Sequence, residues 1–185
     1  MPFEFEKTDI EEVIVIKPKI FGDERGFFLE TYKKDDFEKA GITENFIQDN
    51  HSKSKKGVIR GIHFQRGKFA QAKIVRCIKG ALWDVAVDLR KGSKTFGKYF
   101  AIELSEANKY ILYIPRGCGH GFATLTEDVE MEYKNDNLYS FENETGIIWN
   151  DPDLNIKWPI ANPIVSEKDK KWSTFKEFKK TLINN

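Results

Sequence analysis

Apolar and polar residues alternate over short stretches of this chain, and Gly, Pro, Asn and Asp stand between the stretches. Alternation with a period of two is the pattern of a half-buried β-strand. It predicts strands over 10–17, 27–32, 58–65, 71–79, 81–89, 97–104, 110–114, 121–125 and 129–135. Turn signals separate them at Phe21-Gly-Asp-Glu-Arg-Gly, Arg66-Gly67, Gly80, Lys91-Gly92-Ser93, Arg116-Gly117 and Glu127-Asp128. A short helix is expected over 34–40, stopped by Gly41. Residues 45–50 read as extended chain that runs into a polar loop, 51–56. Near the other end, Asn150-Asp-Pro-Asp opens a loop that passes Pro159 and Pro163. Ser166-Glu-Lys-Asp then looks like a helix start, with Ser166 as the cap and Trp172, Phe175, Phe178 and Leu182 on the buried face. Many short strands without intervening helices predict an antiparallel sandwich, jelly roll or barrel.

At 185 residues the chain is expected to form one domain over 1–185, with enough length for a full core. No repeat, low-complexity segment or linker divides it. A net charge of +1 gives no global field for nucleic acid or membrane, so any anion must be met by a local cluster. The acidic start, Met-Pro-Phe-Glu-Phe-Glu-Lys, has no apolar signal-peptide core. The longest apolar run, 111–114, is far too short to span a bilayer. Two cysteines, Cys77 and Cys118, make no disulfide framework, so a reducing cytoplasm is the simple expectation. A charged fraction of 32%, chiefly Lys and Glu, leans towards a thermophile composition.

The chemistry centres on Gly57–Gln65, which reads Gly-Val-Ile-Arg-Gly-Ile-His-Phe-Gln. On a regular strand Ile59, Gly61, His63 and Gln65 share one face and Arg60 takes the other. For Arg60 and His63 to serve one site, a bulge near Gly61 must re-aim one of them. Lys73 would be the one cation on a face with Val75 and Cys77, and Tyr133 points inward with Val129 and Met131. A buried Tyr hydroxyl needs a partner. His120 lies in Arg116-Gly-Cys-Gly-His-Gly-Phe, where the glycines allow close backbone approach. Each residue also has a plainer account: a core His, a solvated Lys, a packed Tyr, a tight turn. There are three His and no His-x-His pair, so a metal site has little support. No Gly-x-Gly-x-x-Gly opens a helix, which disfavours a Rossmann cofactor. Both cysteines suit the core better than a nucleophile's place.

Taken in order, Phe21-Gly-Asp-Glu-Arg-Gly-Phe-Phe, Gln48-Asp-Asn-His-Ser, Gly57–Gln65, Pro115-Arg-Gly-Cys-Gly-His-Gly-Phe, Trp149-Asn-Asp-Pro and Ser166-Glu-Lys-Asp resemble the dTDP-4-dehydrorhamnose 3,5-epimerases almost end to end. The resemblance implies a cupin-type jelly roll, mainly β, with a short N-terminal helix and a C-terminal helix. It implies 3,5-epimerisation of a dTDP-4-keto-6-deoxy sugar by a homodimer without metal or other cofactor. By resemblance His63 is the general base, Tyr133 the general acid, and Lys73 sits by the sugar C4 oxygen. Asp169 orients His63, although from the residues alone Asp84 also qualifies. Arg25, Glu30, Gln48, Asn50, Arg60, His120, Glu144 and Lys168 fall where the family holds the nucleotide sugar, and Tyr139 where an aromatic ring stacks on thymine. Two positions depart from the family pattern: Thr145 stands where many members have Arg, and Gly119 where many have Ala. A cupin 3-epimerase or 3,4-ketoisomerase, a metal-dependent cupin oxygenase and a non-catalytic nucleotide-sugar-binding module are the competing expectations.

Overall fold

The computed structural model describes residues 2–183. In chain order these form β1 (Phe3–Lys7), β2 (Ile14–Pro18), β3 (Phe21–Asp23), β4 (Gly26–Phe28), helix α1 (Lys34–Lys39), β5 (Gln48–Lys55), β6 (Ile59–Gln65), β7 (Lys73–Lys79), β8 (Ala81–Asp88) and β9 (Tyr99–Ser105). After them come β10 (Ile111–Ile114), β11 (Cys118–Thr124), β12 (Asp128–Asn135), β13 (Glu144–Gly146) and helix α2 (Phe175–Ile183). One sheet has the order β1-β2-β10-β7-β12-β5, the other β13-β6-β11-β8-β9, and β3 and β4 pair as a separate hairpin. Neighbouring strands in all three are antiparallel. This is the expected cupin-type jelly roll.

Strand alternation sets the three apolar clusters. Inward residues of the first sheet (Val75, Cys77, Val129, Met131) meet Leu82, Ala86, Leu104 and Phe122 of the second between the sheets. The outer face of the first sheet packs Ile16, Ile74 and Tyr113 against Phe37 of α1, whose ring meets Phe3 and Phe5 edge-on. The outer face of the second packs Ile62, Val85 and Val87 under Phe175 of α2. A fully buried Phe such as Phe37 contributes about 1.5–3 kcal/mol through removal of its surface from water.

Four expectations change. Residues 51–56 belong largely to β5, not to a loop. That strand carries Gln, Asn and Ser where alternation would demand apolar residues, because it edges the sheet and its inward side chains border a polar cavity. The expected strand at 27–32 is confined to Gly26–Phe28 in the exposed hairpin. The alternating Phe3-Glu-Phe-Glu-Lys segment forms β1, which the reading from sequence passed over. Ser166 caps a single 3-10 turn, Asp169–Lys171, through an Asp169 N–H bond to its hydroxyl at 3.1 Å. The α-helix begins later, at Phe175, where Thr174 and Glu177 bond each other's backbone N–H groups at 3.2 and 2.8 Å. Trp172 therefore lies outside α2 and is free to turn towards Asp169.

Candidate active site

The bulge at Gly61 decides where the chemistry goes. Along the β6–β11 ladder His63 pairs with His120 and Arg60 with Phe122, so three steps on β6 match two on β11. The extra residue turns both Arg60 and His63 towards the first sheet. Arg60 donates to Ser54 Oγ at 3.1 Å and to the Lys53 carbonyl at 3.2 Å, both on β5. His63 borders a cavity of about 240 Å³ together with Gln48, Asn50, Lys73, Tyr133, Tyr139 and Glu144. Gly61 has φ +120°, and a Cβ there would lie 2.5 Å from Gly121 Cα. Only glycine combines that backbone turn with that approach.

His63 Nε2 stands 2.6 Å from Asp169 Oδ1, which leaves Nδ1 as the ring nitrogen able to take a proton. Asp169 is buried and also accepts the Gly61 N–H at 3.4 Å and the Trp172 indole N–H at 3.2 Å. Burial would raise its carboxyl, but His63 and these two donors outweigh it and hold the group below the usual Asp range. Asp84, the other acid open from sequence, is bonded to His120 at 2.9 Å. The two acids thus serve two different histidines.

The first sheet supplies the facing wall. Burial pushes the Lys73 ammonium down to about 8, against a partial return from the charges of Asp84 and Glu144. Its Nζ lies 5.9 Å from the centre of the Tyr133 ring. Burial pushes the Tyr133 phenol up, with Arg60 opposing, so its proton stays on at neutral pH. At the mouth, Lys168 Nζ is 2.6 Å from Glu144 Oε2, and the Tyr139 hydroxyl donates to the same oxygen at 2.6 Å. Burial would raise Glu144, yet Lys168 and Tyr139 hold it low. The bond to Glu144 pushes Tyr139 up to about 12.

Arg25 and Glu30 are not among the residues lining this cavity. Arg25 sits at the tip of the β3–β4 hairpin, 85% exposed, and pairs with Asp23 beside it. Glu30 follows that hairpin. Four lining residues were missed from sequence: Phe64, Gln65, Gln71 and Asn135. Asn135 was within reach, since it stands two residues beyond Tyr133 on the same face of β12. Cys77 and Cys118 are buried thiols pushed up to about 11 and about 12 by desolvation, which suits packing and not attack. Among the described residues no cluster of three or more His, Cys, Asp or Glu is placed to hold a metal ion, and no helix is long and apolar enough to cross a membrane. A larger depression of about 570 Å³, beside Glu44 and Tyr113, lies apart from these groups.

Known proteins are similar in both sequence and fold. The family model described as dTDP-4-dehydrorhamnose 3,5-epimerase matches residues 7–177. A relative of that name from Shigella flexneri is 52% identical over 164 residues, 88% of this chain and 91% of its own. The crystal structure of dTDP-4-dehydrorhamnose 3,5-epimerase from Elizabethkingia anophelis superposes with a TM-score of 0.92 at 47% identity, covering 96% of this chain and 98% of that one. A Legionella pneumophila dTDP-6-deoxy-D-glucose-3,5-epimerase, solved with dTDP-4-keto-L-rhamnose, gives 0.90 at 42% identity, covering 93% and 92%. A jelly roll with a His–Asp pair on one sheet and a Lys and a Tyr on the other is thus a carbohydrate isomerase of the cupin class. The chain belongs to the dTDP-4-dehydrorhamnose 3,5-epimerase family.

Proposed function

We propose that this protein inverts C3 and C5 of dTDP-4-dehydro-6-deoxy-D-glucose, giving dTDP-4-dehydro-L-rhamnose for dTDP-L-rhamnose biosynthesis. The observation that carries the mechanism is the division of labour between sheets: a carboxylate-held His63 on one, a protonated Tyr133 on the other, and Lys73 in the same cavity. C3 and C5 both flank the C4 ketone, so either proton is acidified by one carbonyl. His63 Nδ1 takes the proton, and the C–H electron pair moves into the ring bond as the C4 oxygen becomes negative. The Lys73 ammonium stabilises that charge as it develops. Asp169 stabilises the imidazolium. Tyr133 then delivers its proton to the opposite face, the C4 carbonyl re-forms, and the centre is inverted. His63 loses its proton to solvent and the phenolate regains one before the second centre reacts.

Around this core, Arg60 and Lys168 are the cations for the diphosphate, and His120 is a further binding residue for the nucleotide sugar. Gln48, Asn50 and Glu144 hold the nucleoside and sugar hydroxyls, and Tyr139 stacks on the base. Arg25 and Glu30 keep a binding role only if substrate reaches the hairpin. The working unit we propose is a homodimer, because β1 leaves a sheet edge open and Phe21, Phe27 and Phe28 are exposed. Light scattering at the single-chain mass of 21.5 kDa would remove it. Its place is the cytoplasm, consistent with two free cysteines.

Turnover in deuterated water tests the function. Deuterium is expected at both C3 and C5, with both centres inverted. Label at C3 alone would make the protein a 3-epimerase or ketoisomerase, and no label would leave only a binding module.

A further inference from the structure

Asn135 stands in the wall of the cavity with an unmet hydrogen-bonding need. It is 1% exposed, and its Oδ1 is buried without a hydrogen-bond partner. The neighbouring amides are engaged. Gln48 donates to Asn50 at 3.2 Å and accepts the Tyr139 N–H at 3.1 Å. Gln65 accepts the Ser140 N–H at 3.1 Å, and Gln71 donates to the Asn137 carbonyl at 2.8 Å. A buried acceptor left unmet costs stability, and an apolar residue would fill the same space without that cost. Within the sheet Asn135 is the direct cross-strand partner of Lys73. Side chains so paired on one face lie close enough to grip two adjacent atoms of one ligand.

We propose that Asn135 Oδ1 accepts the hydrogen bond of the sugar C3 hydroxyl while Lys73 holds the C4 oxygen. The inference rests on the epimerase function above and adds a residue that sets substrate class, a ketone bearing a hydroxyl on the next carbon. Loss of the C3 proton makes C3 trigonal, and the C3 and C4 oxygens then lie side by side in one plane. Two cross-strand neighbours match that edge, one donating and one accepting. C5 carries a methyl group and no hydroxyl, so the contact serves the C3 transfer.

The test is Asn135→Leu, nearly equal in shape and without an acceptor. Deuterium incorporation is followed at C3 of the natural substrate and at C5 of its 3-deoxy analogue. Removal of one neutral hydrogen bond corresponds to about a tenfold loss. The ratio of C3 exchange on the natural substrate to C5 exchange on the analogue is expected to fall about tenfold. An equal fall in both would make Asn135 a structural residue, and no fall in either would place it outside the site; each overturns the inference. If the unaltered protein exchanges neither position, the proposed function falls and takes this inference with it. Asn135→Ala repeats the comparison should the leucine variant fail to fold.

Discussion

Replacement of Lys73 by Met should make the protein more stable and nearly inactive at once. The ammonium is held at about 8 against an ordinary 10.5, chiefly by desolvation. The difference, 10.5 − 8, corresponds to roughly 3 kcal/mol of charging cost borne by the fold at neutral pH. The sign follows from proton counts. Between about 8 and 10.5 the unfolded chain holds a proton that the folded chain has released, so stability rises with pH across that window. Below it the whole penalty stands. Met has a similar unbranched stem and no charge to desolvate. Lys73→Met should therefore raise the unfolding free energy at pH 7 by about 1–3 kcal/mol, with the gain shrinking as pH rises from about 8 to about 10.5. Over the same alkaline window the unaltered enzyme should lose activity, because the cation beside the developing oxyanion is discharged. The variant's kcat should fall about 10²–10³-fold, the scale for loss of one oxyanion donor. Urea unfolding at pH 7 and pH 10, read with equal m-values, and exchange kinetics supply both numbers. A variant less stable than the parent at pH 7 would show that the ammonium makes net favourable contacts in the free protein. An unchanged kcat would return Lys73 to a packing role.

Tyr133→Phe keeps the ring and removes the proposed acid, so solvent exchange through His63 should survive while inverted product is largely lost; parallel loss of both would send the search for the acid elsewhere. Asp88 should dominate acid stability. Its buried carboxylate accepts three bonds from Arg90 at 3.0 Å (two from the guanidinium and one from the backbone N–H), one from Ser93 at 2.5 Å and one from Thr95 at 2.6 Å, which outweigh burial and hold it at about 2. That stability is present above about 4 and lost as pH falls through 2, so Asp88→Asn should remove roughly 2 kcal/mol of acid-side dependence in a pH series of melts.

Alternation was legible in sequence where a strand has one wet and one dry face. Strand β12 shows it, with Val129 and Met131 entering the core between Glu130 and Glu132, whereas β10 and β11, buried along their whole length, were read from runs of strand-forming residues bounded by turn signals. Strand β5 does not show it, because its inward Gln48 and Asn50 face the polar cavity, where alternation carries no hydrophobic signal. The bulge was legible as a requirement, since Arg60 and His63 disagree in parity and Gly61 lies between them. Which acid meets His63 was not. Asp84 lies on a strand near in sequence and Asp169 more than a hundred positions away, and only the closure of the 3-10 turn onto β6 brings the latter to 2.6 Å. Trp172 was assigned by helical spacing to a face it does not share, because the chain breaks at Thr174 before the helix begins.

The glycine seam behind His63 bears on how this enzyme can change over generations. Beyond Gly61, a Cβ on Gly119 would meet Ile62 Cγ2 at 2.4 Å, one on Gly121 the Arg60 carbonyl at 2.9 Å, and one on Gly146 the Ile62 carbonyl at 2.5 Å. Main-chain atoms and the Ile62 side chain thus leave no room for a side chain at these glycines. The mouth is the reverse: Leu138 and Phe141 are exposed side chains with room for replacement. Room for substitution therefore lies at the mouth of the pocket and not behind His63. A library meant to broaden the accepted nucleoside has room to work there. One meant to shift His63 must first repack Ile62, whose Cγ2 would meet a Cβ at position 119 at 2.4 Å.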